Sequence, residues 1–145
     1  MTKHILLVLL ITISGNLLAQ ETEEQIKKII TQDFITYSRA FEFKDYNKIT
    51  EYFHYPVLYM GEYYADKNKL IEAYVEVREK QIQPGYKYSM VDEIKFIKIS
   101  NDLVSAEFYY SRFNANYEKI FSGSSLGTYK KLDGEWKMSG YGPRK

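Results

Sequence analysis

The first part of the chain after residue 20 has apolar residues at helical spacing. From Glu21 to about Phe43 they recur every three or four positions, with polar residues between them. This is the pattern of an amphipathic helix that buries one face. The apolar positions are Ile26, Ile29, Ile30, Phe34, Tyr37 and Phe41. We therefore predict one long first helix with this stripe against the core.

Two aspartates mark the starts of two more predicted helices, because an aspartate side chain accepts hydrogen bonds from free N–H groups of a first turn. Asp45 precedes a segment that carries Tyr46, Ile49 and Phe53 and is expected to end at Pro56. Asp66 precedes a third helix that we expect to continue to about Gln81. Its predicted inner residues are Leu70, Ile71, Tyr74, Val75 and Val77.

β-prone residues dominate the rest of the chain. Residues 57–64 include β-branched and aromatic residues on both sides of Gly61 and predict a short strand or hairpin. From Tyr86 onward, about four long β-prone runs alternate with turn signals, of which Asp133-Gly134 is typical of a type I′ hairpin. Gly123 is predicted to mark a bulge. The order of elements indicates an α+β fold, with three N-terminal helices packed on a curved, mostly antiparallel sheet.

The first 19 residues have the pattern of a secretory signal peptide. Lys3 and His4 precede a short apolar run, and Leu17-Leu18-Ala19 resembles a cleavage site. The run is about half the roughly 20 residues that a membrane-spanning helix requires. We therefore expect residues 1–19 to be a signal peptide cleaved near Ala19, residues 20–145 to form one domain, and the protein to be periplasmic or secreted.

Charge and composition exclude several partners and cofactors. Removal of Lys3 leaves 19 basic residues against 19 acidic ones, so no electrostatic attraction to nucleic acid is expected. The chain has no cysteine and, after the leader, one histidine, and its carboxylates are not clustered at ligand spacing. We expect no metal and no cofactor, and no phosphate-binding glycine loop is present.

Several segments together resemble the nuclear transport factor 2-like superfamily, which includes SnoaL-like polyketide cyclases and ketosteroid isomerase. The resemblance rests on the long first helix, residues 45–56, Ser111-Arg112-Phe113-Asn114, and residues 127–138. It implies a cone-shaped α+β barrel with the sheet wrapped around the first helix. It also implies a pocket at the open end of the cone and, frequently, a homodimer. It does not imply one chemistry.

Arg112 is the strongest ligand-binding candidate. Alternation along the strand that begins near Val104 puts Tyr110, Arg112 and Asn114 on its more apolar face. A guanidinium in such a place requires a carboxylate partner, either from a ligand or from the protein itself. The alternative is that the side chain extends its charged head to the protein surface, where it needs no such partner.

Tyrosines and one histidine complete the candidate set. The chain has 15 tyrosines against 8 phenylalanines, which suits a wall that is apolar but offers hydrogen bonds. We place Tyr37, Tyr59, Tyr110 and Tyr129 near the pocket, although a half-exposed sheet would also favour tyrosine. His54 is the candidate catalytic acid or base, although a helix C-terminus also attracts histidine.

Three functions remain open. The first is a domain that binds a small, partly apolar or anionic ligand. The second is a dehydratase, cyclase or isomerase that uses His54 with Tyr110 or Arg112. An isomerase needs a carboxylate base, and in the hairpin where the resemblance would place it the chain has Tyr59, Met60 and Gly61. The third is a dimeric interaction module whose interior is filled by side chains.

Overall fold

The structure is a computed structural model that describes residues 20–144. The predicted signal peptide, residues 1–19, lies outside the described residues. In chain order the elements are α1 (Glu23–Glu42), α2 (Tyr46–Glu51), β1 (Phe53–Tyr59), β2 (Glu62–Tyr64), α3 (Lys67–Glu76), a π-helical turn (Val77–Gln81), β3 (Tyr88–Ile99), β4 (Leu103–Phe113), β5 (Lys119–Leu132) and β6 (Glu135–Pro143). The predicted α+β class is confirmed.

Side chains cap all three helices. The Thr22 hydroxyl and the Gln25 side chain form a reciprocal capping box at the start of α1. Asp45 accepts a hydrogen bond from the Lys48 backbone N–H at 3.0 Å, and Asp66 accepts two from the first turn of α3. Both predicted aspartate caps are therefore present.

The second helix is shorter than predicted. It ends at Glu51, and Phe53 begins strand β1 instead of continuing the helical stripe. The cause is a distant strand: the Met138 N–H donates to the Tyr52 carbonyl at 2.8 Å, and Phe53 pairs with Met138. His54 consequently lies within a strand and not at the end of a helix.

The third helix follows the prediction with two differences. Leu70 and Tyr74 are fully buried, whereas Val75 is exposed and was wrongly assigned to the inner face. After Glu76 the helix widens into the π-helical turn, which is closed by a hydrogen bond from the Ile82 N–H to the Val77 carbonyl at 2.9 Å. Single turns of this kind are frequent near functional sites.

Six strands form one sheet in the order β2-β1-β6-β5-β4-β3. All neighbours pair antiparallel except β1 and β6, which are parallel. The β5–β6 turn has positive φ at both Asp133 and Gly134, as the predicted type I′ hairpin requires.

Gly123 does not mark a bulge, contrary to the prediction. It lies opposite Tyr110 in unbroken register, and the extra residue in β5 is Ile120, beside Arg112 and Phe113. The reason for glycine at position 123 is space, because a Cβ there would lie 2.6 Å from the Phe121 ring.

The core lies between α1 and the concave face of the sheet. Ile26, Ile30 and Phe34 of α1 are at most 2 % exposed. Phe34 stacks on Phe108 of β4 with 3.9 Å between ring centroids. The apolar stripe predicted for the first helix is therefore the face that the sheet surrounds.

Candidate functional site

A cavity of about 90 Å³ lies at one end of α1, between that helix, β1, the π-helical turn and the strands β3–β6. Among its lining residues only Met60 and Pro143 are exposed, so they mark its mouth. Its apolar walls include Phe34 and Phe41 of α1. Arg112 is its only charged lining residue among residues 20–144.

The guanidinium of Arg112 is held without a carboxylate. Its Nη1 donates to the Gln83 side-chain oxygen at 2.6 Å, and its Nε is buried with no hydrogen-bond partner in the described residues, 20–144. Within residues 20–144 no aspartate or glutamate forms an ion pair with it. A buried donor without a partner costs about 1–3 kcal/mol. A cation without a carboxylate partner in residues 20–144 thus forms part of the cavity wall.

Four aromatic rings surround this guanidinium. Its carbon lies 5.1 Å from the centroid of Tyr110, 5.2 Å from Phe121, 5.7 Å from Tyr86 and 5.9 Å from Phe41. Such contacts stabilise a cation by about 0.5–1 kcal/mol each. They hold the guanidinium in place, but they leave the Nε–H without an acceptor.

A second arginine shares part of this aromatic cluster. The Arg78 guanidinium, from the π-helical turn, lies 4.6 Å from the centroid of Tyr86 and 5.8 Å from Phe41. Its Nε is likewise buried, with no hydrogen-bond partner in the part of the chain that the structure describes. Arg78 does not line the cavity, so the two arginines differ in access to it.

Tyrosines form much of the remaining wall. The Tyr37 and Tyr74 hydroxyls are hydrogen-bonded at 2.8 Å, and the Tyr59 and Tyr74 ring centroids are 4.6 Å apart. Burial raises the pKa of Tyr37, Tyr59 and Tyr141 above the usual tyrosine range. Their hydroxyls therefore stay protonated at neutral pH and can donate hydrogen bonds.

Four of the residues selected from the sequence line this one cavity. They are Tyr37 from α1, Tyr59 from β1, and Tyr110 and Arg112 from β4. The alternation along β4 puts the last two on its inner face. The sequence could not indicate that Gln83 and Tyr86, from the loop before β3, meet Arg112 there.

The other three selected residues lie elsewhere. Asn114 follows β4 and donates to Glu118 across a turn at 2.6 Å. Tyr129 is fully buried in β5, and its hydroxyl has no hydrogen-bond partner among the described residues. His54 is half-buried in β1. None of the three is among the residues that line the cavity with Arg112.

Tyr141 lines the cavity, but the sequence analysis did not select it as a site residue. Alternation from Trp136 and Met138 would put it on the outer face of the sheet. Ser139, however, is an extra residue in β6, because Met138 pairs with Tyr129 and Gly140 with Thr128. The bulge reverses the alternation and turns Tyr141 inward.

The described part of the chain shows no metal site or membrane helix. No group of three or more His, Asp or Glu side chains in residues 20–144 is arranged to hold a metal ion. No helix in the same range is both long and apolar enough to cross a membrane.

Comparison with solved structures identifies the fold. The chain has the cystatin-like fold of the nuclear transport factor 2-like kind, with a curved sheet that does not close. A protein of unknown function from Nostoc punctiforme superposes with a TM-score of 0.72 at 12% identity, covering 86% of this chain and 92% of that one.

Two further structures agree. Aln2 from Streptomyces sp. has a TM-score of 0.68 at 10% identity, covering 86% of this chain and 93% of its own. An NTF2-like protein from Novosphingobium aromaticivorans has a TM-score of 0.65 at 9% identity, covering 80% and 79%. No family model matches the sequence, and the search of curated proteins found no match. The fold predicted from the resemblance is confirmed.

Proposed function

We propose that the protein is an exported domain that binds a small, partly apolar anion in the cavity beside Arg112. The observation that carries this proposal is that Arg112, the one charged residue of the cavity lining within residues 20–144, has no counter-ion among those residues. A ligand carboxylate would accept hydrogen bonds from this guanidinium and neutralise its charge.

The walls support a ligand that is apolar over most of its surface. Phe34, Phe41, Met60 and Val77 give it contact area, while tyrosine hydroxyls supply hydrogen bonds. The cavity favours a ligand-binding domain over an interaction module with a filled interior. The enzymatic alternative gains no support from His54, which does not line this cavity.

Thermal-shift and calorimetric binding measurements test the proposal. We expect a subset of small apolar and acidic probes to raise the melting temperature of residues 20–145 in a saturable manner. The test variant is Ser38→Leu, which should block binding because it places a larger side chain from α1 into the cavity. Leucine is a good helix former, so the substitution should preserve α1. The proposal is refuted if no probe binds, or if probes bind equally to a folded Ser38→Leu variant.

Export and self-association are separate parts of the proposal. Export is supported by the signal-like pattern of residues 1–19, and we expect the mature protein outside the cytoplasm to begin at or near Gln20. N-terminal mass spectrometry of fractionated cells tests this. A homodimer is supported only by the resemblance to the nuclear transport factor 2-like superfamily, whose members are frequently homodimers. Light scattering of the mature protein tests it.

A further inference from the structure

The size and lining of the cavity restrict the ligand further, if the proposed function holds. Its volume of about 90 Å³ is well below the roughly 300–1,000 Å³ of pockets for drug-sized ligands. It is closer to the roughly 150 Å³ of a cavity that holds benzene. This volume therefore favours a molecule with one ring over one with several fused rings.

Hydroxyl groups are unusually frequent in the lining. Seven of the 13 lining residues carry one, including the three serines Ser38, Ser89 and Ser125. No lining residue is acidic. The Tyr37 and Ser89 hydroxyls already bond to Tyr74 and Tyr86, but a pure hydrocarbon would offer no partner to the other hydroxyls of the lining, which costs affinity. The lining therefore favours a ligand with oxygen atoms beyond those that Arg112 engages.

The position of Arg112 determines which charged group the ligand carries. Gln83 accepts from one of its donors, and the aromatic cluster fixes the guanidinium, so the cation is held in place at the cavity wall before a ligand binds. A carboxylate matches a guanidinium because it can accept two parallel hydrogen bonds from it. A protonated amine would be repelled by the same cation.

We infer that the cavity takes a monocyclic carboxylic acid that carries at least one further hydroxyl or carbonyl oxygen. The ring contacts the aromatic walls, the carboxylate pairs with Arg112, and the second oxygen bonds to the tyrosine and serine hydroxyls. The volume favours one ring over three or more.

Isothermal titration calorimetry with four matched probes tests this inference. The probes are 3- and 4-hydroxybenzoate, benzoate and phenol. We expect the better hydroxybenzoate to bind about 2- to 10-fold more tightly than benzoate, as one added hydrogen bond contributes. We expect it to bind at least about 10-fold more tightly than phenol, which lacks the carboxylate.

Two arginine variants provide the matched control. Arg112→Gln should weaken hydroxybenzoate binding at least about 10-fold and leave phenol binding nearly unchanged. Arg78→Gln removes a cation that contacts the same Tyr86 and Phe41 rings but does not line the cavity, so binding should change less than about 3-fold. Circular dichroism confirms that each variant is folded.

The outcomes separate this inference from the proposed function. If phenol or another neutral ring binds as tightly as the hydroxybenzoates, and Ser38→Leu blocks it, the acid inference fails while a ligand-binding cavity remains. Equal losses of hydroxybenzoate affinity in both arginine variants would also overturn the inference, because the affinity would then depend on the overall positive charge and not on Arg112 in particular. If no probe of any class binds to the wild type, both proposals fail.

Discussion

Gly127 lies under the ring of Phe108, and its replacement by alanine is the sharpest test of core packing. A Cβ at position 127 would lie 2.6 Å from the Phe108 ring, about 0.8 Å closer than the 3.4 Å at which ordinary contact begins. Phe108 cannot move away easily, because it is fully buried and stacked on Phe34 at 3.9 Å. The core must therefore shift or strain.

The expected cost follows from two opposing terms. Overpacking a well-filled core costs about 1–3 kcal/mol. Loss of glycine's freedom in the unfolded chain returns about 0.4–1 kcal/mol. We expect Gly127→Ala to lower the free energy of unfolding by about 1–2 kcal/mol. Urea unfolding followed by circular dichroism measures this, with an unchanged m-value as evidence that the folded state is otherwise intact.

Two other glycines are matched controls. At Gly123 the added Cβ would also lie 2.6 Å from a ring, but Phe121 is only half-buried and can swing outward. At Gly142 the nearest atoms are at 3.6 Å. Gly123→Ala should therefore cost less than about 1 kcal/mol, and Gly142→Ala should stay within about 0.5 kcal/mol of wild type. If Gly127→Ala is no more costly than Gly142→Ala, Phe108 is not fixed as described.

Three further predictions concern ionisation and backbone strain. Burial raises the pKa of five tyrosines above that of the unfolded chain. Their contribution to the free energy of unfolding is therefore complete below about pH 10 and is lost as pH rises further. Absorbance near 295 nm should show these tyrosines ionising only when circular dichroism reports unfolding. They are Tyr37, Tyr59, Tyr74, Tyr129 and Tyr141. Burial also raises the pKa of Asp33, so its ionised form opposes folding. Asp33→Asn should therefore raise the free energy of unfolding by up to about 1 kcal/mol at pH 7, and this gain should shrink as pH falls toward 3. A gain that does not depend on pH would contradict the prediction. Gly134 has φ of +81° with open space around it, so Gly134→Ala should cost about 1 kcal/mol through backbone strain alone, against a near-neutral Gly142→Ala.

Local patterns predicted the elements whose causes are local. The stripe of α1, the Asp45 and Asp66 caps, and the Asp133-Gly134 turn depend on residues a few positions apart, and all were predicted correctly. Phe53 was assigned to a helix because its strand partner, Met138, is distant in sequence. Local spacing has no information about such a pair.

The candidate site shows the same division. Alternation along β4 indicated the inward direction of Arg112, since no bulge interrupts that strand before it. Tyr141 was missed because one extra residue, Ser139, reverses the alternation in β6. The contact of Gln83 with Arg112 depends on how the π-helical turn ends, and no residue pattern in that segment reports it.

The central position of β6 has a consequence for synthesis of the protein. This strand, which comes last in the described chain, separates β1 from β5, so the β1–β2 hairpin has no sheet to join until residues 135–143 are available. A growing chain that already contains α1–α3 and β1–β5 still exposes the edges that β6 will fill. Completion of the fold must therefore wait until residues 135–143 have left the ribosome, and a product truncated before Glu135 should be rapidly degraded by proteases.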